Sequence, residues 1–261
     1  MPLDLRGQIA AAELAFYVPI VAVAFFYTVR YQFEKDAGFF FLLFFALSRL
    51  TQGILIVAGE NVQPAVVGLF IAAYDLFPCG LALLDLAFIG FLGLAGQHSY
   101  SEYSRTMWYF RIGGLVAVVA LALSIAGGIL GTPVNPDNDT GLLLRRIAAG
   151  VYGGAWVVLV LLTFMCWSYR FTMRHYRRTL LTGVAIALLP LAVRTAYAIL
   201  QAWSSSDIFG NNPSPNPTLA RFQPVTGDFV VYLVMGLVME YLCCLILLFS
   251  GFYMLRQRRR Y

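Results

Sequence analysis

Charge is what this 261-residue chain has least of: Asp, Glu, Lys and Arg together make up 12% of it, about half the share found in a soluble domain. With 60% hydrophobic residues, that scarcity excludes a water-soluble globular protein and leaves a polytopic membrane protein. Lys35 is the only lysine, and His98 and His175 are the only histidines. Both histidines fall in polar connections, so no metal centre is expected inside the membrane. The four cysteines, Cys79, Cys166, Cys243 and Cys244, lie in apolar stretches, where thiols behave as small hydrophobes. They form neither a disulfide framework nor a metal-ligand spacing. No G-x-G-x-x-G, serine elbow or Asp-rich D-D-x-x-D motif is present, so nucleotide, acyl-enzyme and magnesium-diphosphate chemistries lack their parts, and no cofactor is expected.

Seven apolar runs fill the chain, at about 8–29, 38–58, 65–94, 108–130, 142–167, 179–203 and 229–255. A spanning helix needs about 20 residues, so the predicted fold is all-α, one seven-helix transmembrane domain with no room for a soluble one. Pro78 predicts a tilt or break in the long third run, and 131–141 and 204–228 read as loops dense in turn formers. The net charge of +5 comes from arginines gathered in a few connections and at the C-terminus, a membrane-topology signal rather than a nucleic-acid surface. The bias predicts an outer or lumenal N-terminus and a cytoplasmic C-terminus. On that model Asn138-Asp139-Thr140, a glycosylation sequon, lies outside. Gly127-x-x-x-Gly131 and Gly150-x-x-x-Gly154 are spacings that let helices pack closely.

Inside the runs stand a few ionisable residues. In 179–203, Pro190, Arg194, Tyr197 and Gln201 share one face by their three- and four-residue spacing. A lipid-facing charge costs at least about 2.5–3.5 kcal/mol on insertion scales, so that face must meet protein and an acid. Arg49 and Gln52 share a face of the second run, Glu13 and Tyr17 one of the first; Asp75 and Asp85 lie in the third and Glu240 in the seventh. Arg49, Asp75, Arg194 and Glu240 come at similar depth, which predicts one shared polar pocket opening toward the outer leaflet.

Two accounts of these charges follow. In the first they pair off and lock helix register: Arg49 and Arg194 with Asp75 and Glu240, Arg111 with Asp85, and Arg145 or Arg146 with Glu13. In the second, interfacial arginines snorkel into water and leave acids without a partner. A carboxyl stripped of water with no counter-charge stays protonated and becomes a proton donor. Asp75 and Glu240 are the candidate catalytic acids on that account. Arg49 and Arg194 support them, and Glu13, Tyr17, Tyr74, Tyr197 and Tyr241 complete a substrate-binding pocket whose aromatic faces could steady a carbocation.

The motifs Glu13-x-x-x-Tyr17-x-Pro19, Pro190-x-x-x-Arg194-x-x-Tyr197 and Met239-Glu240 resemble those of an uncharacterised family of seven-span integral membrane proteins from filamentous fungi. By size and span count the chain also resembles the fungal membrane-bound terpene cyclases, which implies acid-initiated cyclisation of a prenylated substrate. It departs from them in lacking their Trp-Glu pair in the second span, where Arg49 stands instead. The early Tyr-x-Pro is similar to that of the fungal lipid-translocating exporter-like proteins, which implies lipid handling. A retinal protein is excluded by the absence of a lysine from the last run, and G-protein-coupled receptor signatures are missing. The expected function is binding of a small lipophilic molecule in a charged intramembrane pocket. It takes either the form of a cyclase or isomerase of fungal secondary metabolism, or that of a receptor-like or lipid-handling protein without catalysis. The expected partners are membrane lipid and the lipophilic molecule, and the expected location is the endoplasmic reticulum or another endomembrane.

Overall fold

A computed structural model describes residues 4–31, 37–62, 67–96, 104–132, 138–205 and 213–258. Seven helices in it are long and apolar enough to cross a membrane. They are α1 (Leu5–Tyr31), α2 (Ala37–Asn61), α3 (Val67–Ala95), α4 (Ser104–Leu130), α5 (Asn138–Ser168) and α6 (His175–Ser204), followed, after a short α7 (Pro217–Ala220), by the last span, α8 (Phe229–Gln257). No strand occurs among the described residues, only a single bridge between Ser205 and Pro213. Uninterrupted helix is what the composition demands, since lipid offers no partner to a bare backbone N–H or C=O. At about 1.5 Å per residue the helices exceed the roughly 30 Å hydrocarbon thickness, so their ends reach the headgroups or the helices tilt.

Neighbours in sequence are neighbours in space from α1 to α6, and α8 closes against α6. α3 is the hub, touching α2, α4, α5, α6 and α8; its apolar stretch is 67% buried, whereas that of α1 is 28% buried and lies at the rim. Large apolar side chains such as Phe25, Leu115, Phe164, Leu189 and Phe249 are more than half exposed, a belt that is stable only against lipid. The start of α1 is tied to the same end of the bundle as the end of α2 and the loop before α8. Asp4 N–H donates to Glu60 Oε2 at 3.2 Å and Arg6 Nη2 to the Gly227 carbonyl at 3.2 Å.

Helix ends depart from the hydropathy reading, because the first turns are polar. α5 begins at Asn138, so the sequon lies in its first turn rather than in a loop, and α6 begins at His175 inside the predicted arginine-rich connection. His98 and Lys35 lie outside the described residues, as does the side chain of Asn138. Small residues set the helix spacing at two crossings. A Cβ on Gly90 of α3 would stand 2.6 Å from Gly38 Cα of α2, and one on Gly127 of α4 2.9 Å from the Arg145 backbone nitrogen of α5. The other small-residue spacing is a correction: Gly150 and Gly154 have nothing within 4 Å of an added Cβ and do not mark a close crossing.

Candidate functional site

The centre of the bundle is built around Pro78. Two successive α3 carbonyls there accept bonds from side chains of other helices. Phe77 O receives Arg49 Nη2 at 3.1 Å and Arg194 Nη2 at 3.2 Å. Pro78 O receives Tyr152 Oη at 2.9 Å, and Tyr152 in turn shares a bond with Ser124 at 2.8 Å.

Arg49, Arg194 and Glu240 have no solvent exposure. Glu240 accepts from Arg49 Nη2 at 2.6 Å and from Arg194 Nε, so one carboxylate holds two guanidiniums. The Phe77 ring stacks with both, 4.7 Å from Arg49 Cζ and 4.4 Å from Arg194 Cζ, a geometry that favours cations. Arg49 Nη1 also donates to Gln52 Oε1. Gly80 makes room: a Cβ there would lie 2.8 Å from Arg49 Nη2. The turn of α8 before Glu240 is π-helical over Tyr232–Val238, an irregularity frequent at functional sites, and Gly236 within it faces the Phe77 ring.

Beside this cluster, between α1 and α8, lies an apolar cleft of about 470 Å³ lined by residues that include Ala12, Glu13, Phe16, Tyr17, Leu237 and Tyr241. Glu13 is 5% exposed, and neither of its carboxyl oxygens has a hydrogen-bond partner among the described residues, nor does the Tyr17 hydroxyl. The charged neighbours of Glu13 are Arg49 and Glu240. Tyr241 packs edge-on against Phe16 and Tyr17, with centroids 5.6 and 5.9 Å apart.

The expected single pocket is therefore divided. Arg49, Arg194 and Glu240 meet, with Tyr197 buried beside them and touching Phe77 edge-on. Asp75 does not join them. With Tyr74 it lines a second, smaller pocket of about 50 Å³ among α3 to α6 that also holds Ser124, Arg145, Tyr152 and Gln201. There its carboxylate presses on Gly128 of α4 and its nearest charge is Arg145. Glu13, Tyr17 and Tyr241 line the cleft instead.

The predicted pairings change accordingly. Arg49 and Arg194 both take Glu240, and none is left for Asp75. Arg111 is exposed and bonds Met107 Sδ at 3.6 Å rather than Asp85, whose charged neighbour is Arg194. Arg146 stacks on Trp203 at 4.5 Å, not on Glu13. The backbone of Phe77, the Tyr152–Ser124 pair and the π turn carry no signal in composition or spacing. Gln52 did, by sharing a helix face with Arg49. No group of three or more His, Cys, Asp or Glu side chains among the described residues could hold a metal ion.

No curated protein and no solved structure is similar to the chain. One family model spans nearly its whole length: over residues 3–258 it matches the domain of unknown function DUF7702, and the chain belongs to that family.

Proposed function

We propose that the protein binds a lipophilic small molecule in the cleft between α1 and α8, entered sideways from the bilayer, with Glu13 at its polar end. The observation that carries this is the mismatch within the cleft: about 470 Å³ of almost wholly apolar space meets one carboxyl whose two oxygens have no partner among the described residues. Ligand sites have this character, a volume of about 300–1,000 Å³ with a few placed polar groups, and an ionisable residue in a span is a functional candidate by default. The exposed Phe16 at the cleft's edge supports access from lipid. The arginine-rich connections support a cytoplasmic C-terminus, and the likeness to fungal seven-span proteins supports an endomembrane.

The catalytic account based on Asp75 and Glu240 has weaker support. A carboxylate held by two guanidiniums is a poor proton donor, and Asp75 sits in a small polar pocket beside Arg145, away from the large apolar space. Both fit better as fasteners of the bundle. If a proton is delivered to a hydrophobic substrate, Glu13 is the acid placed to deliver it.

A photoactivatable lipid analogue tests the binding reading. With the purified chain in lipid nanodiscs, cross-links mapped by mass spectrometry are expected to concentrate on the residues around Phe16, Leu237 and Tyr241. They should fall strongly in Ala12→Trp, which fills the cleft. Labelling spread evenly over the lipid-facing belt, and unchanged by Ala12→Trp, overturns it.

A further inference from the structure

Resting on that binding reading, we propose that the cleft's ligand is a lipophilic amine, an ammonium group on a hydrocarbon body, with the ammonium seated on Glu13. Three observations converge on a cation rather than a neutral or anionic head.

The first is the state of Glu13 itself. A carboxylate only accepts hydrogen bonds, and both of its oxygens are without a donor among the described residues. As a carboxylate, Glu13 is satisfied only by a head group that donates, which an ester or an ionised carboxylate cannot do. An ammonium brings up to three donors, where an alcohol brings one.

The second is the balance of charge. Around Glu13 stand Arg49 from α2, Glu240, Tyr232 and Tyr241 from α8, and Gln8 and Tyr17 from its own helix. Behind them stand Arg194 and, on α3, Asp85, which is 1% exposed with Oδ1 unpartnered among the described residues. Two guanidiniums thus face three carboxyls: Glu13, Glu240 and Asp85. Asp75 stands apart with its own neighbour, Arg145. A third carboxyl without a counter-charge in a low-dielectric interior keeps its proton, and one ammonium supplies the charge that lets it ionise.

The third is the lining. Phe16, Tyr17 and Tyr241 form an edge-to-face group on the wall beside Glu13, and aromatic faces beside a carboxylate are the surroundings in which organic ammonium ions are held. Arg49 and Arg194 have no exposed surface and do not line the cleft, whereas Glu13 does.

The experiment compares photoactivatable probes of equal chain length, a primary amine and a primary alcohol, on the full chain in nanodiscs, with Ala12→Trp giving the background of partition into bilayer. The amine is expected to label the cleft at least about ten-fold more strongly than the alcohol, as a charge-assisted bond implies. Glu13→Gln should remove the amine's advantage over the alcohol, with thermal unfolding of the variant showing that it is folded, and Glu13→Asp should restore part of the preference. Equal labelling by the two probes, or amine labelling unchanged in Glu13→Gln, overturns the amine assignment while the cleft reading stands. If neither probe labels the cleft above the Ala12→Trp background, the cleft reading fails first and the assignment falls with it.

Discussion

Removing the one acid between two buried arginines should be among the most damaging changes this bundle can undergo. In Glu240→Gln the shape is kept and a single charge is lost. Arg49 and Arg194, each fully buried, then face one another across a neutral amide whose single oxygen cannot replace two charge-assisted bonds. Breaking a buried pair by deleting one partner costs about 3–5 kcal/mol, and here one deletion orphans two cations. Arg49→Met instead leaves a one-to-one pair of Arg194 with Glu240 and an apolar chain against Phe77, so it should cost clearly less, in the range of about 1–3 kcal/mol.

The order of effects is the diagnostic feature. Thermal unfolding of the detergent-solubilised protein, followed by its intrinsic fluorescence at fixed detergent concentration, reads it directly. Using about 2–4 °C per kcal/mol for chains of this size, Glu240→Gln should lower the midpoint by about 6–20 °C and Arg49→Met by less. The double variant Arg49→Met with Glu240→Gln should fall short of the sum, because the residues share one network. If Glu240→Gln behaves as a surface substitution, within about 0.5 kcal/mol of the parent, or if Arg49→Met is the worse of the two, the account of one carboxylate holding two guanidiniums is refuted.

Three further outcomes are expected. Gly90→Ala should destabilise by about 1–3 kcal/mol through overpacking against Gly38, while Gly150→Ala, with open space around it, should be neutral or stabilising by up to about 1 kcal/mol; equal effects in a melting experiment would discredit the α2–α3 contact. Tyr152→Phe removes the bonds to Pro78 O and Ser124 and should cost about 0.5–1.5 kcal/mol, an effect that should disappear from the melting curve if that hydroxyl is idle. The four native cysteines are buried, so in sealed microsomes an impermeant thiol reagent should label Phe171→Cys, whose parent side chain is 83% exposed, and should reach Thr218→Cys only after permeabilisation; the reverse pattern inverts the proposed orientation.

The class of fold was legible because an apolar run has one stable answer in lipid. Helix ends were not, since polar residues such as Asn138 and His175 begin helices as readily as they end loops. The need of Arg194 for an acid could be read from one helix face and the cost of a lipid-exposed charge. Which acid it takes could not, because hydropathy fixes depth and leaves rotation open. Asp75 and Phe77 are two residues apart, about 200° around a helix, so when Phe77 points at the arginines Asp75 points away from them, toward Gly128 of α4. The three-residue spacing of Arg49 and Gln52 places both on one face and was informative; the single-residue step from Glu240 to Tyr241 sends one side chain into the cluster and the other into the cleft.

That last step ties the two halves of the site together. A π turn carries about one more residue than an α turn, so Tyr232–Val238 rotates everything after it relative to a regular helix. A helical wheel drawn on α8 from sequence therefore misplaces Glu240 with respect to the residues before it. The irregular turn is held from both sides: Tyr232 and Leu237 pack with Phe77 and Tyr197, and an added Cβ on Gly236 would come within 3.1 Å of the Phe77 ring. The ring that stacks on both guanidiniums is thus the ring that seats the π turn, and that turn sets the rotation at which Tyr241 reaches the cleft. The arginine cluster supports the cleft by position as well as by charge, although none of its three charged members lines it.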